Sequence, residues 1–262
     1  MGLAVDTIGF SVTNQAALTA VTLAAGDTLT VRNFPEATAK AFLYRVTIQS
    51  VSKGQLRIFS PLLHDVVKGL TFSFSETPAP FLFPREVFQQ LHPQDLLTVQ
   101  QAGGGAESDA GTLSIYYTDL PGSAARLFSP ADIKPRIKSL KSIEVDATTN
   151  IIGSGWLDTA INATEDVLHA NTDYAILGYD TDTACTAVAF KGIDTGNLRI
   201  GGPGTARSIE TGDYFFETSL RDGLPYIPVF NSANKSGFFL SSLAVAAAAT
   251  KFTVNCAELY PQ

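Results

Sequence analysis

Short runs in which apolar and polar side chains alternate, closed off by Gly, Pro, Asn or Asp, fill this chain and commit it to strands. Ile8, Phe10 and Val12 alternate with Gly9 and Ser11, and Leu29 and Val31 flank Thr30. Leu70, Phe72 and Phe74 alternate with Thr71 and Ser73, and Ile143 and Val145 flank Glu144. A period of two puts alternate side chains on opposite faces of an extended backbone, so each run reads as a half-buried strand. Roughly seven or eight such runs fall in each half of the chain, and eight strands in two packed sheets is the content of a jelly roll. An immunoglobulin-like sandwich has a similar length, but its Cys-Trp-Cys core is missing. Strand counting alone leaves the two topologies open.

The chain also repeats itself. Gly54-Gln55-Leu56-Arg57-Ile58, leading to Pro61, returns as Gly196-Asn197-Leu198-Arg199-Ile200, leading to Pro203: G-x-L-R-I-x-x-P, twice. Leu29–Phe34 has a counterpart in Tyr174–Tyr179, and Pro80–Pro84 in Pro225–Pro228. Leu113–Tyr117 before Asp119-Leu120-Pro121 matches Phe252–Cys256 before Glu258-Leu259-Tyr260-Pro261. Four collinear matches predict a tandem duplication. They predict two eight-stranded jelly-roll sandwiches, residues 1–121 and 142–262, with Leu56 equivalent to Leu198 and Ile58 to Ile200. The alternative is one large sandwich whose strands merely share alternation.

Between the halves, residues 122–141 form a basic, partly helical linker. Arg126, Lys134, Arg136, Lys138 and Lys141 face one acid, Asp132, for a net +4, against −3 for residues 1–121 and −8 for 142–262. Ser129-Pro130-Ala131-Asp132 is a helix start, with Ser as N-cap, Pro at the first position and an acid in the first turn. Pro135 limits that helix to about a turn. The basic residues read either as a solubilising surface or as a contact with a phosphate, a lipid headgroup or an acidic neighbour.

With 45% hydrophobic and 16% charged residues, the 262-residue chain can bury a large core, which excludes wholesale disorder. A net charge of −7 excludes a protein that coats nucleic acid over its whole surface. The two cysteines, Cys185 and Cys256, exclude a disulfide scaffold and read as buried small hydrophobes, with a bridge between facing strands as the alternative. Asp6 interrupts the first apolar stretch and no basic residue precedes Arg32, so no secretory signal is expected. Asp6 also breaks the myristoylation pattern after Gly2. The uncharged stretch Ser236–Thr250 is too short to span a bilayer as a helix.

Nothing in the sequence assembles chemistry. His64, His92 and His169 lie at no metal-ligand spacing, although His169 follows Glu165 and Asp166 closely. Gly103–Gly105 and Gly201-Gly202-Pro203-Gly204 lack the helix and the G-K-[ST] of a phosphate loop and read as turns. Asp180-Thr181-Asp182 lacks the rest of a calcium loop, and Trp156 reads as core or interface. The expectation is no enzyme, no metal and no cofactor.

Two jelly-roll-sized halves, an ordered strap and no active site resemble the double jelly-roll major capsid proteins of tailless icosahedral bacteriophages with an internal membrane. The resemblance covers the whole chain. It is carried by architecture, the repeat at Gly54–Pro61 and Gly196–Pro203 and the connector, and by no signature motif. It implies a virion protein made in the host cytoplasm, built as homotrimers of pseudo-six-fold outline that tile a shell. It also implies contacts with other capsid proteins such as a vertex protein and with an internal lipid membrane, and no sequence-specific nucleic acid. The strap cations would then face lipid or a neighbouring subunit. Two further readings use the same fold: a tandem carbohydrate- or receptor-binding module, and a phage tail or baseplate component. The carbohydrate reading needs aromatic and acid or amide side chains clustered at one loop end, with Tyr174, Tyr179 and Asp180 as candidates.

Overall fold

The computed structural model describes residues 2–13, 16–50, 53–63, 69–74, 79–82, 88–103, 108–183, 185–204 and 211–261. The first half contributes β1 (Ala4–Thr13), β2 (Thr19–Ala20), β3 (Thr22–Leu23), β4 (Lys40–Gln49), β5 (Gly54–Phe59), β6 (Leu70–Phe74), β7 (Ala79–Leu82), β8 (Gln89–Leu91), β9 (Thr98–Gly103) and β10 (Ser108–Thr118). They form two antiparallel sheets, β3-β1-β10-β4-β7, with β8 also on β4, and β2-β9-β5-β6. The second half contributes β11 (Leu127–Phe128), β12 (Ile137–Thr148), β13 (Leu157–Ala160), β14 (Asp173–Thr181), β15 (Ala187–Lys191), β16 (Ile200–Pro203), β17 (Ile227–Asn231), β18 (Phe239–Leu243) and β19 (Ala249–Leu259). Its sheets are β11-β17-β14-β19-β12 and β13-β18-β15-β16.

Setting aside the short β3, β8 and β11, the two halves have one strand order. In chain order, strands one, eight, three and six make one sheet, and strands two, seven, four and five the other. That interleaving, two Greek keys in eight strands, is a jelly roll. The fold is all-β and the jelly roll occurs twice.

The strand order also tests the repeats. Leu113–Tyr117 and Phe252–Cys256 lie on the equivalent β10 and β19, and the Pro80 and Pro225 segments lead into the equivalent β7 and β17. The other two matches fail. Leu56 and Ile58 are on β5, the fourth strand, whereas Ile200 is on β16, the fifth, and Leu198 precedes it. Leu29–Phe34 belongs to no strand and makes an isolated bridge from Thr30 to Leu96, while Tyr174–Tyr179 lies within strand β14. A common alternation produced these coincidences. A better mark of duplication lies in the backbone: β4 bulges at Tyr44 against β10, and β14 bulges at Leu177 against β19, at equivalent places.

The sandwiches stack face to face. Along β1, Ala4, Ile8 and Phe10 enter the first core, while Val5, Thr7 and Gly9 turn towards the second half. The receiving sheet offers small residues: Ala187 and Ala189 pack with Ala24 and Ala110 of the first half. The backbones come close enough for the Thr7 amide to donate to the Arg199 carbonyl (2.8 Å) and the Gly201 amide to Thr7 Oγ1 (3.1 Å). A Cβ on Gly9 would stand 2.3 Å from Leu243 Cδ1.

The bulge at Tyr44 has a consequence. An extra residue in one strand turns two consecutive side chains to one face, and here Tyr44 and Arg45 both enter the junction. Arg45 is 3% exposed; its Nη2 donates to Asp222 Oδ2 (2.9 Å) and its Nη1 to the Tyr214 hydroxyl (3.1 Å). The Tyr44 hydroxyl donates to the same Asp222 oxygen (2.7 Å), and the rings of Tyr44, Tyr214 and Tyr226 lie around the guanidinium at 5.3–5.9 Å. Tyr214 and Asp222 belong to α2 (Tyr214–Asp222), which starts after Asp213 and stops at Gly223, where a left-handed φ of 67° ends the helix.

The residues 122–141 expected as a linker are instead woven into the second sandwich. Leu127 and Phe128 pair with Pro228 and Ile227, and residues from Ile137 onward pair with β19. Between them α1 (Pro130–Ile133) and a 3-10 turn cross the outer sheet face, where Ile133 packs with Ala175, Ile227, Val229, Ala257 and Leu259 beside Phe128 and Ile137. The segment's apolar residues, not its charges, decide its place.

Two substitutions test the junction. Gly9→Val forces a side chain into Leu243 and should cost about 1–3 kcal/mol in urea unfolding. Asp222→Ala leaves Arg45 buried without its counter-ion and should cost about 3–5 kcal/mol, whereas the double change Arg45→Met, Asp222→Leu should cost less.

Candidate functional site

The five strap cations converge on one end of the second sandwich. The Ser129 cap is formed: its Oγ accepts the Asp132 amide (3.3 Å) and Asp132 Oδ2 accepts the Ser129 amide (3.0 Å). The resulting turn sets Lys134 and Arg136 at the start of β12, and strand pairing fixes Lys138 and Lys141 beside β19.

Four of the five cations meet acids of the same chain. Arg126 makes a two-pronged contact with Asp173 (3.0 and 2.6 Å) and lies 3.7 Å from Asp194. Arg136 donates twice to the Tyr260 carbonyl (3.2 and 3.1 Å) and lies 3.6 Å from Asp173. Lys138 Nζ reaches Glu258 Oε1 at 2.6 Å, and Lys141 lies 3.7 Å from Oε2 while donating to the Val167 carbonyl (3.1 Å). Lys134 alone has no acid among the described residues; its ammonium sits 5.3 Å from the Phe216 ring centre. Arg126, Arg136, Lys138 and Lys141 are thus paired within the chain, while Lys134 and Lys138 remain exposed. Acids from β14 and β19 compensate the set because both strands end where the strap passes.

Glu258 is the centre of this network, 1% exposed at the end of β19. Besides Lys138, it accepts from Ser139 Oγ (3.1 Å) and lies 3.0 Å from His169 Nδ1. The hydrogen bond from Lys138 holds its pKa down at about 2, against the opposing effect of desolvation, with His169 and Ser139 adding to the lowering. Asp173 is likewise held below its ordinary value: desolvation pushes it up, but hydrogen bonds from Arg126 and Asn231 outweigh that.

Beside the network a cleft of about 410 Å³ opens to solvent, lined by Lys138, Asn171, Thr172, Asp173, Asn231, Glu258, Leu259, Tyr260 and Pro261. Sequence reasoning did not find it, because its walls come from four distant segments. It did single out a neighbour, His169. Of the other candidates, His92 pairs with Glu36 at the surface (2.7 Å), and His64, Gly104 and Gly105 lie outside the described residues.

Tyr174 and Tyr179, offered for a saccharide platform, are fully buried, and Asp180 is bound by Asn255 (2.9 Å). Asp182 accepts the Lys251 amide (2.9 Å). Gly201-Gly202-Pro203 is strand, not turn; a Cβ on Gly202 would meet Tyr214 at 2.3 Å, so the glycines admit that ring. Trp156 is at the junction, its Nε1 donating to Asp27 Oδ2 (2.8 Å) under the Arg199 guanidinium. Cys185 and Cys256 are both free and buried, and burial pushes the Cys185 thiol up to about 12. Among the described residues no three His, Cys, Asp or Glu side chains gather as a metal would require, and no helix is long and apolar enough to cross a membrane. The arrangement at this end pairs its charges within the chain.

No protein-family model and no curated protein matches the chain. Among solved structures, the PBSX exported protein XepA is similar at 8% identity and a TM-score of 0.26, over 98% of this chain and 86% of that one. The STIV MCP is similar at 8% identity and a TM-score of 0.24, over 100% of this chain and 98% of that one. At these scores neither likeness carries an argument, and the strand order described above stands on its own.

The Glu258 network makes a pH prediction. A carboxyl lowered from 4.5 to about 2 on folding contributes stability that is complete above pH 4.5 and lost as pH falls towards 2. Glu258→Gln should therefore lower stability at neutral pH and flatten the fall in the urea midpoint between those two pH values.

Proposed function

We propose that this chain is a structural virion protein, a major capsid protein whose trimers tile an icosahedral shell. The observation that carries the proposal is the double jelly roll held as one body. One strand order occurs twice, and the two sandwiches are joined through a buried ion pair and backbone hydrogen bonds. Two similar lobes in one rigid subunit give three subunits six similar lateral faces, which suits hexagonal tiling by a single gene product. A fold by itself does not fix function. Support also comes from how the polar groups are used: the buried charges of the junction and the paired charges of the strap bind the chain to itself.

In this reading the partners are further copies of the chain and other shell proteins. The strap contributes by stiffening the subunit, since Arg126, Arg136, Lys138 and Lys141 are committed to Asp173, Asp194 and Glu258. A role towards an anionic membrane falls to Lys134, which is exposed and has no acid partner among the described residues.

Light scattering on the purified chain, followed by negative-stain imaging, tests the proposal. The expected species is a trimer with a six-sided outline. A monomer that stays monodisperse at high concentration would overturn it. In co-sedimentation with anionic liposomes, Lys134→Gln should weaken any binding more than Lys138→Gln does.

A further inference from the structure

We propose that the cleft at the end of β14 and β19 is a binding site for a neutral carbohydrate. Its walls combine the side-chain types that such a ligand requires. Asn171 supplies an exposed amide beside Asn231 and Thr172, whose polar atoms are held by Asp173, Ala233 and Ala170, while Tyr260 and Pro261 supply an exposed apolar side. Tyr260 is 53% exposed, so an aromatic ring is available to the apolar face of a sugar. The volume of about 410 Å³ suits one or two sugar rings.

The charges around the cleft favour a neutral ligand over an ion. Asp173 already accepts two hydrogen bonds from Arg126 and one from Asn231 (2.9 Å), and Glu258 is shared by Lys138, His169 and Ser139. Neither carboxylate is bare enough to attract a cation. The nearby cations are themselves spent on those carboxylates, so a free anion gains little. What remains is capacity for ordinary hydrogen bonds. Asn171 has an exposed side chain with no partner among the described residues, and Lys138 uses one of its three N–H groups. Asn171 is held at a left-handed φ of 48°, where Asn is among the best-tolerated residues other than Gly. The immobilised carboxylates keep the walls in place without a ligand, so binding requires little reorganisation.

Calorimetric titration of the full chain with glucose, galactose, mannose, N-acetylglucosamine and their short oligomers tests this, with inorganic phosphate as the anionic control. At least one saccharide is expected to bind in the millimolar range, as small polar ligands do in open sites. Asn171→Gly, which keeps the left-handed backbone, and Tyr260→Ala should each weaken that binding at least about tenfold, with an unchanged circular dichroism spectrum and a melting temperature shifted by no more than a few degrees. Absence of binding up to about 20 mM saccharide, binding unaffected by both changes, or binding of phosphate alone would overturn the proposal. The result is independent of the shell assignment, because neither substitution touches the junction between the sandwiches and trimers are read separately.

Discussion

A guanidinium buried between two β-sandwiches is tolerated only if everything around it is fixed. Arg45 meets that condition through Asp222, Tyr44, Tyr214 and Tyr226, and the condition propagates. Asp222 has to come from a helix that ends at the right place, so α2 ends at Gly223. Tyr44 and Arg45 have to share a face, so β4 bulges. The sheets have to approach closely, so the facing positions are Gly9, Ala187, Ala189 and Gly201. A buried ion pair is a poor source of net stability compared with apolar packing. Its value here is positional: Arg45 reaches Asp222 and Tyr214 across the junction, so the pair fixes how one sandwich sits on the other.

The same logic explains the strap. In the first sandwich the sheet containing β1, β10 and β4 is covered on its outer face by the second sandwich. The equivalent sheet of the second sandwich carries Ala175, Leu177, Ile227, Val229, Ala257 and Leu259 on its outer face. The chain covers this face with Phe128, Ile133 and Ile137 from the strap and Phe216 from α2. The basic residues then follow from position, since the strap crosses strand ends that carry Asp173 and Glu258. The equivalent bulges make the comparison concrete: Tyr44 points into the junction, and Leu177 points under the strap.

Alternation made the strands legible, and the Ser129-Pro130 cap made α1 legible, because both are local signals. The jelly-roll order was legible only as a choice among sandwiches, since sheet order depends on pairings between distant residues. Two of the four repeats misled for the same reason: Gly54–Pro61 and Gly196–Pro203 share a pattern that any strand entering a turn can show. Helix α2 was missed although Asp213, Gly223 and the buried set Tyr214, Phe215, Thr218 and Ser219 mark its start, end and inner face. The strand run around it drew attention to period two. Arg45 left one local clue, a charge inside the apolar run Ala41–Ile48, but its partner lies 177 residues away. The cleft left less, because Lys138, Asn171, Asn231 and Tyr260 become neighbours only when β12, β14, β17 and β19 lie side by side.

The distribution of polar groups separates two kinds of site in this molecule. At the junction they are buried, and any vacancy there would be costly. At the far end of the second sandwich the groups around the buried Glu258 are exposed or half exposed, and the acids are paired while Asn171 and part of Lys138 are not. A polar group without a partner in the interior destabilises the fold; at the edge of an open cleft, water satisfies it at little cost. Evolution is therefore free to vary the cleft's amides and Tyr260 without disturbing Arg45 or the strap. A subunit whose stacking rests on one buried junction can vary the polar groups at its far rim without disturbing how its two sandwiches sit on each other.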